Sequence, residues 1–329
     1  MLFRLLLLSL LAALPAAAEP FHFVAFGDMP YCSPARPQDC PAEEGRVAAL
    51  MREINAERPA FSIFVGDTKG GAELCTDTTV LRAFAWMTLA DHPLVYTPGD
   101  NEWTDCWQDR GGRYDPLERL ALLRARFFRD AQSLGRRPMP LTRQADTDPA
   151  HRAFVENARW SHGGVLFATL HVVGSNNNRP TEPEEMPPSR PPEGAMAEYA
   201  ARNAANLAWL AAAFAEARRT EARAVVLAMQ AEMYFADRCG RGQVSGFREM
   251  RAALAREAAA FGRPVLLVHG DIHTWLEDRP VPEAPNLTRI MVPGAADTRA
   301  VVVEVDPAAA RPWAFRLIGP TDRVRTNPC

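Results

Sequence analysis

Five short clusters of residues in this chain could do chemistry together. These are Gly27-Asp28, Gly66-Asp67, Gly99-Asp100-Asn101-Glu102, Gln230 to Glu232, and His269-Gly270-Asp271-Ile272-His273. Carboxylates gathered in one crevice cannot all stay ionised without compensation, because like charges a few ångströms apart raise one another's pKa. Divalent cations supply that compensation. Asp28, Asp67, Asn101, Asp271 and His273 offer enough oxygen and nitrogen ligands for two metals sharing one carboxylate, an arrangement that clamps phosphoryl oxygens. A glycine before an acid lets the chain turn sharply and admits an ion or ligand closely.

Each cluster follows a short apolar run that reads as a buried strand, over 21–26, 61–65, 94–98, 223–229 and 264–268. Between the first two, Val47, Leu50, Met51 and Ile54 recur at helical spacing. That makes a βαβ unit with parallel strands. In open α/β sheets the carboxyl ends of the strands face one crevice, so clusters spread over most of the chain should converge. Two further runs, 153–160 and 164–173, are joined by Ser-His-Gly-Gly and predict a hairpin. Residues 174–194 hold six prolines and form a long loop, of the kind that serves function more often than it links domains. Helices are expected over 196–217 and 246–260, and strands over 287–292, 300–305 and 313–318. Helix-linked strands early and bare strands later imply an α/β architecture of two packed β-sheets flanked by helices. Residues 19–329 are expected to form a single domain.

In order and content the five clusters resemble the calcineurin-like metallophosphoesterase superfamily, which includes the purple acid phosphatases. That family carries Gly-Asp-x-His or a variant after strand one, Gly-Asp after strand two, and Gly-Asn-His-Asp/Glu after strand three. A His follows strand four, and Gly-His-x-His follows strand five. Here the corresponding stretches are GDMP, GDTKG, GDNEW, AMQAE and HGDIH. The resemblance implies an αββα sandwich and hydrolysis of a phosphomonoester or phosphodiester by a metal-held hydroxide. Asp28 and His273 would hold the first metal, Asp67 would bridge, and Asn101 would hold the second. Gln230, at the strand-four His, and Asp271, in place of the first His of the last pair, would complete the metal ligands. Glu102 falls where the family keeps its catalytic His and becomes the expected acid for the leaving group. Pro30 replaces the first His. Purple acid phosphatases place a Tyr three residues after the bridging Asp, where this chain has Gly70, so no tyrosinate ligand is carried over. Fewer imidazoles and more oxygen donors favour Mn²⁺, Mg²⁺ or Ca²⁺ over Zn²⁺ or iron, in one or two sites.

Two further residues are candidate substrate contacts. Lys69 is the only lysine among 37 lysines and arginines and lies two residues after Asp67. Asn176 belongs to an Asn run on the loop that would approach the crevice, where substrate contact and simple turn chemistry compete. A net charge of −3 gives no general attraction to nucleic acid or anionic membrane. Basic residues are scattered, with no nucleic-acid-binding module, and no GxxxxGK loop or GxSxG elbow occurs. The substrate is then a small phosphate ester. Residues 1–18 read as a signal peptide, with Arg4, an apolar run and Ala16-Ala17-Ala18, and no later stretch could span a bilayer. A secreted or periplasmic location agrees with six cysteines. These allow about 15 pairings, of which Cys32–Cys40, Cys75–Cys106 and Cys239–Cys329 are preferred. The rival function is a non-catalytic metal- or ligand-binding protein that retains an eroded phosphoesterase site.

Overall fold

Burial along the first strand sets the layers. The computed structural model describes residues 19–327 and 329, so the expected signal peptide lies outside the described residues. In β1 (Phe21–Phe26), Val24 and Phe26 face one way and Phe23 and Ala25 the other, as the two-residue period of a strand requires. The Val24 face packs beneath α1 (Cys40–Glu57), α2 (Asp77–Met87) and α3 (Pro116–Phe127), through residues such as Leu50, Ile54, Val80 and Leu123. Asp115 caps α3 by accepting from the Leu117 amide at 2.8 Å, and Thr76 caps α2. The Phe23 face enters a core between two sheets.

The remaining strands are β2 (Ser62–Phe64), β3 (Leu94–Tyr96), β4 (Thr142–Arg143), β5 (Ala158–His162), β6 (Val165–Thr169), β7 (Ala224–Ala228), β8 (Val265–His269), β9 (Leu276–Asp278), β10 (Leu287–Met291), β11 (Ala300–Val305) and β12 (Trp313–Ile318). One sheet runs β12-β11-β1-β2-β3 and the other β4-β5-β6-β7-β8-β10-β9. Phe23, Ile63 and Val301 from the first meet Phe167, Val226 and Leu266 from the second. On its outer face the second sheet is covered by α4 (Ala195–Arg219) and α6 (Arg248–Phe261), with Trp209, Phe214 and Leu254 in the seam. A short helix, α5 (Phe235–Cys239), follows β7. This is the expected two-sheet, helix-flanked α/β arrangement.

In the first sheet β1, β2 and β3 are parallel, and in the second β6, β7, β8 and β10 are parallel. The expected hairpin joins β5 and β6 through Gly163 and Gly164, both at positive φ, which a two-residue turn matched to strand twist requires. The run expected from residue 153 becomes a strand only at Ala158. Before it, Glu156 and Asn157 turn inward, and Asn157 bonds Gln144 and Asn206 instead of extending the ladder. Three disulfides, Cys32–Cys40, Cys75–Cys106 and Cys239–Cys329, close the expected pairs. Among the described residues no helix is long and apolar enough to cross a membrane.

One buried ion pair makes the fold sensitive to acid. Glu156 accepts from Arg124 at 2.6 Å and lies 2.8 Å from His171 Nδ1. Burial pushes its carboxyl up, but the His171 hydrogen bond and the Arg124 charge outweigh this and hold it at about 2. A carboxylate depressed in the folded state adds stability above its unfolded pKa and loses it as pH falls through the folded value. Glu156 therefore contributes on the order of 3 kcal/mol at neutral pH, and this disappears between about pH 4.5 and 2. Urea titrations of Glu156→Gln should show a deficit of that size at pH 7 that closes toward pH 2. A deficit independent of pH would rule the linkage out.

Candidate metal centre

The sites begin where the parallel strands stop. Asp28 follows β1, Asp67 follows β2, and both take positive φ, 55° and 59°, which aims their carboxylates back over the strand ends. From the second sheet, Asp271 and His273 follow β8 at φ 81° and 64°. The Asp271 amide donates to Asp28 Oδ1 at 3.0 Å, joining the two sheets at this point. Gly270 is required for that contact, since a Cβ there would lie 2.0 Å from Asp28 Oδ2.

Asp28, Asp67 and His273 present potential ligand atoms that all lie within 4.8 Å of one another. His273 Nε2 is 3.5 Å from Asp28 Oδ1. A residue set aside in the sequence completes the group: the Tyr31 hydroxyl donates to Asp67 Oδ2 at 2.7 Å, accepts from Asn101 Nδ2 at 2.9 Å and lies 3.2 Å from His273 Nε2. Its ring lies over Gly70, where a Cβ would come within 3.3 Å of Tyr31 Cγ and Cδ2. The position at which purple acid phosphatases place a tyrosine is therefore bare, and a tyrosine from the preceding strand's loop fills the space. The sequence signal was present, because Tyr31 stands three residues after a strand-end Asp.

A second group lies beside the first. Asp100 accepts from Ser175 Oγ at 2.7 Å and from Gln230 Nε2 at 3.0 Å, while Gln230 Oε1 accepts from the Gly174 amide at 2.5 Å. Asp271 Oδ2 accepts from the Glu232 amide at 2.9 Å. A Cβ on Gly174 would lie 2.9 Å from both Asp100 Oδ2 and Asp271 Oδ1, so these carboxylates share the space above Gly174. Asp67, Asp100, Asn101, Asp271 and His273 line one crevice with Tyr31. Gln230 is buried behind it.

Three expected contacts are corrected. Glu102 does not line the crevice. Its Oε1 accepts from the Asp67 amide at 3.1 Å, the Gly99 amide at 2.8 Å and the Tyr96 hydroxyl at 2.7 Å, so its carboxylate braces the turn beneath the site. An ungapped count explains this: Gly99-Asp100-Asn101-Glu102 matches Gly-Asn-His-Asp/Glu position for position. Asp100 then takes the place of the Asn, and Asn101 that of the His. Lys69 is fully buried, its ammonium donating to the Gly70 and Glu73 carbonyls at 3.1 and 3.0 Å. Asn176 is buried as well, bonded to Ser245 Oγ and the Gly246 amide. It is one of four consecutive residues, 175–178, at positive φ, so turn chemistry accounts for the Asn run.

Electrostatics favour a cation. Burial, then Asp100, Glu102 and Asp28, push Asp67 well above the usual carboxylate range. Burial and then Asp100 do the same to Asp271. Burial raises Asp28 despite the opposing His273. Asp105, also lining the crevice, is pushed up to about 7 by burial and Asp100, against Arg110 at 3.2 Å. Asp28 Oδ2 is buried with no hydrogen-bond partner. A divalent ion would offset the penalties on Asp28, Asp67 and Asp271, so the residues present fit a metal.

By sequence, neither the protein-family models nor the curated proteins yield a match. Among solved structures, a dimetal phosphatase from Danio rerio aligns at TM-score 0.51 with 10% identity, over 92% of this chain and 99% of that one. A purple acid phosphatase from yellow lupin seeds aligns at TM-score 0.50 with 11% identity, over 93% of this chain and 55% of that one. The chain thus spans about half the length of the lupin protein. Its two mixed sheets and flanking helices are those of the calcineurin-like metallophosphoesterase fold. It is a divergent example of that fold, as the low identity shows.

Proposed function

We propose that the chain is a metal-dependent phosphoric ester hydrolase, acting on monoesters or diesters at two adjacent metal positions. The observation that carries this reading is the convergence of Asp28, Asp67 and His273, whose potential ligand atoms lie within 4.8 Å of one another, with Tyr31 bonded to Asp67 and Asp28 Oδ2 buried without a partner. Asp28, Tyr31 and His273 would serve the first position and Asp100 and Asp271 the second, with Asp67 between them and Gln230 orienting Asp100. Bound divalent ions would neutralise charge on a transferring phosphoryl group and make water a better nucleophile. Donors that are nearly all oxygen favour Mn²⁺, Mg²⁺ or Ca²⁺ over Zn²⁺ or iron. The first position, which includes the imidazole, is the tighter one.

Asn101 offers an amide where the family keeps an imidazole. Its Nδ2 hydrogens are already given to Tyr31 and Asp67, and an amide cannot shuttle a proton near neutrality. Esters with good leaving groups should therefore be the better substrates. The same observation favours a second reading, a non-catalytic metal- or ligand-binding protein. The three disulfides support a secreted or periplasmic location, with residues 19–329 working as one unit.

Metal analysis of purified protein, with hydrolysis of aryl phosphate mono- and diesters across several divalent ions, tests the proposal. The expected result is a bound ion and turnover at least about 10²-fold above that of chelated protein. Metal without turnover supports the binding protein, and absence of both would remove the site assignment.

A further inference from the structure

Resting on the reading of the crevice as a phosphoryl site, we infer that its ligand is a phosphate ester whose organic part is apolar. With the carboxylates, Tyr31 and His273, the crevice has the apolar residues Met186, Pro187, Phe235 and Phe247 in its lining. Its volume, about 430 Å³, is within the range that accepts a whole organic ligand.

The apolar wall is held in place. Glu185, buried, accepts from the Val244 amide at 2.7 Å, the Ser245 amide at 2.5 Å and Ser245 Oγ at 2.6 Å, tying the proline-rich loop to residues 244–245. Asn176 ties that segment in turn to the crevice floor through Ser245 and Gly246. Met186 is thus fixed with 58% of its surface exposed at the mouth of the crevice, a solvation cost that a ligand's apolar group would relieve. Two polar side chains of the lining are partly engaged: Gln243 Nε2 donates to the Pro187 carbonyl at 2.7 Å, and Arg241 Nη2 donates to the Cys329 carbonyl at 2.8 Å while its guanidinium lies 5.5 Å from the Phe235 ring centre. An alkyl or aryl group would cover Met186 and Phe235, apolar surface that the hydroxyls of a sugar phosphate would leave uncompensated.

Calorimetric binding of hexylphosphonate and methylphosphonate to the metal-loaded protein separates this inference from turnover, since neither compound is an ester. Hexylphosphonate should bind on the order of 10–100-fold more tightly. Met186→Ser should cut that preference at least about threefold, while Met196→Ser, at an exposed methionine outside the crevice lining, leaves it intact. Equal affinities overturn the inference, as does a preference that Met186→Ser does not change. A preference observed without hydrolysis of any ester supports the apolar wall and sinks the hydrolase reading. Failure to bind either phosphonate overturns both.

Discussion

Asp67→Ala is expected to lower metal-dependent ester hydrolysis by about 10³-fold or more and to deprive the purified protein of its second ion. Asp67 is the carboxylate proposed to serve both metal positions: Oδ2 accepts from Tyr31 at 2.7 Å and from Asn101 Nδ2 at 2.7 Å, and Oδ1 accepts from the Asn101 amide at 3.1 Å. No neighbouring side chain can take over its position between the two groups. The metal-free protein should respond in the opposite direction. Asp67 is raised by burial first and then by Asp100, Glu102 and Asp28, so its ionised form is a cost to the folded state. For a carboxyl whose folded pKa is raised, stability is greatest below the unfolded pKa and falls as pH climbs through the folded one. In chelator near pH 7 Asp67→Ala should therefore melt no lower than the parent chain. A variant that lost activity but retained both ions, or that unfolded in chelator, would show that Asp67 acts structurally.

The second large effect lies in a buried ion network behind the crevice. Arg289 on β10 is almost wholly buried and pairs with Glu232 at 2.5 Å and with Asp278 at 2.7 Å through Nε. Burial works to raise Glu232, but His269 when protonated, Arg289 and Arg238 hold it below the usual carboxylate range, and at pH 7 only the two arginines among these carry charge. His269 is itself lowered to about 4, chiefly by burial, and so is neutral at pH 7. Arg289→Met would leave Glu232 as a charge with much of its compensation removed, a change worth about 3–5 kcal/mol. The deficit should shrink in acid, where Glu232 can take up a proton. Because the Glu232 amide holds Asp271 Oδ2, the variant should also bind its second ion more weakly. Urea unfolding at pH 7 and pH 5, with metal titration alongside, tests this. Unchanged stability at pH 7 would show the network to be dispensable.

Much of this molecule was legible in its amino-acid order. Strand-end acids, helical spacing and the Gly163-Gly164 turn are local features, and they led to the two-sheet α/β fold and to convergence of Asp28, Asp67, Asp271 and His273. Two cysteine pairs, Cys32–Cys40 and Cys75–Cys106, followed from the same placement of elements, and Cys239–Cys329 joins the two cysteines that remain. These features are encoded by periods of two and 3.6 residues and by backbone conformations that few residues adopt, all of which act over short stretches of chain.

Side-chain direction was not legible, because it is settled by partners far away in sequence. Glu102 and Lys69 sit beside the site in sequence, yet both point into the protein, where backbone groups of neighbouring turns satisfy them. Asn176 was absorbed by a contact with Ser245, and Asp100 was drawn into the site by Gln230 and Ser175. Tyr31 illustrates the point most directly, since its ring fills the space that Gly70, from a different loop, leaves bare. Strand ends and their acids, both local features, located the crevice and required carboxylates to meet there. Which side chains face it was settled by long-range packing, because that depends on which buried donors and acceptors each can satisfy first.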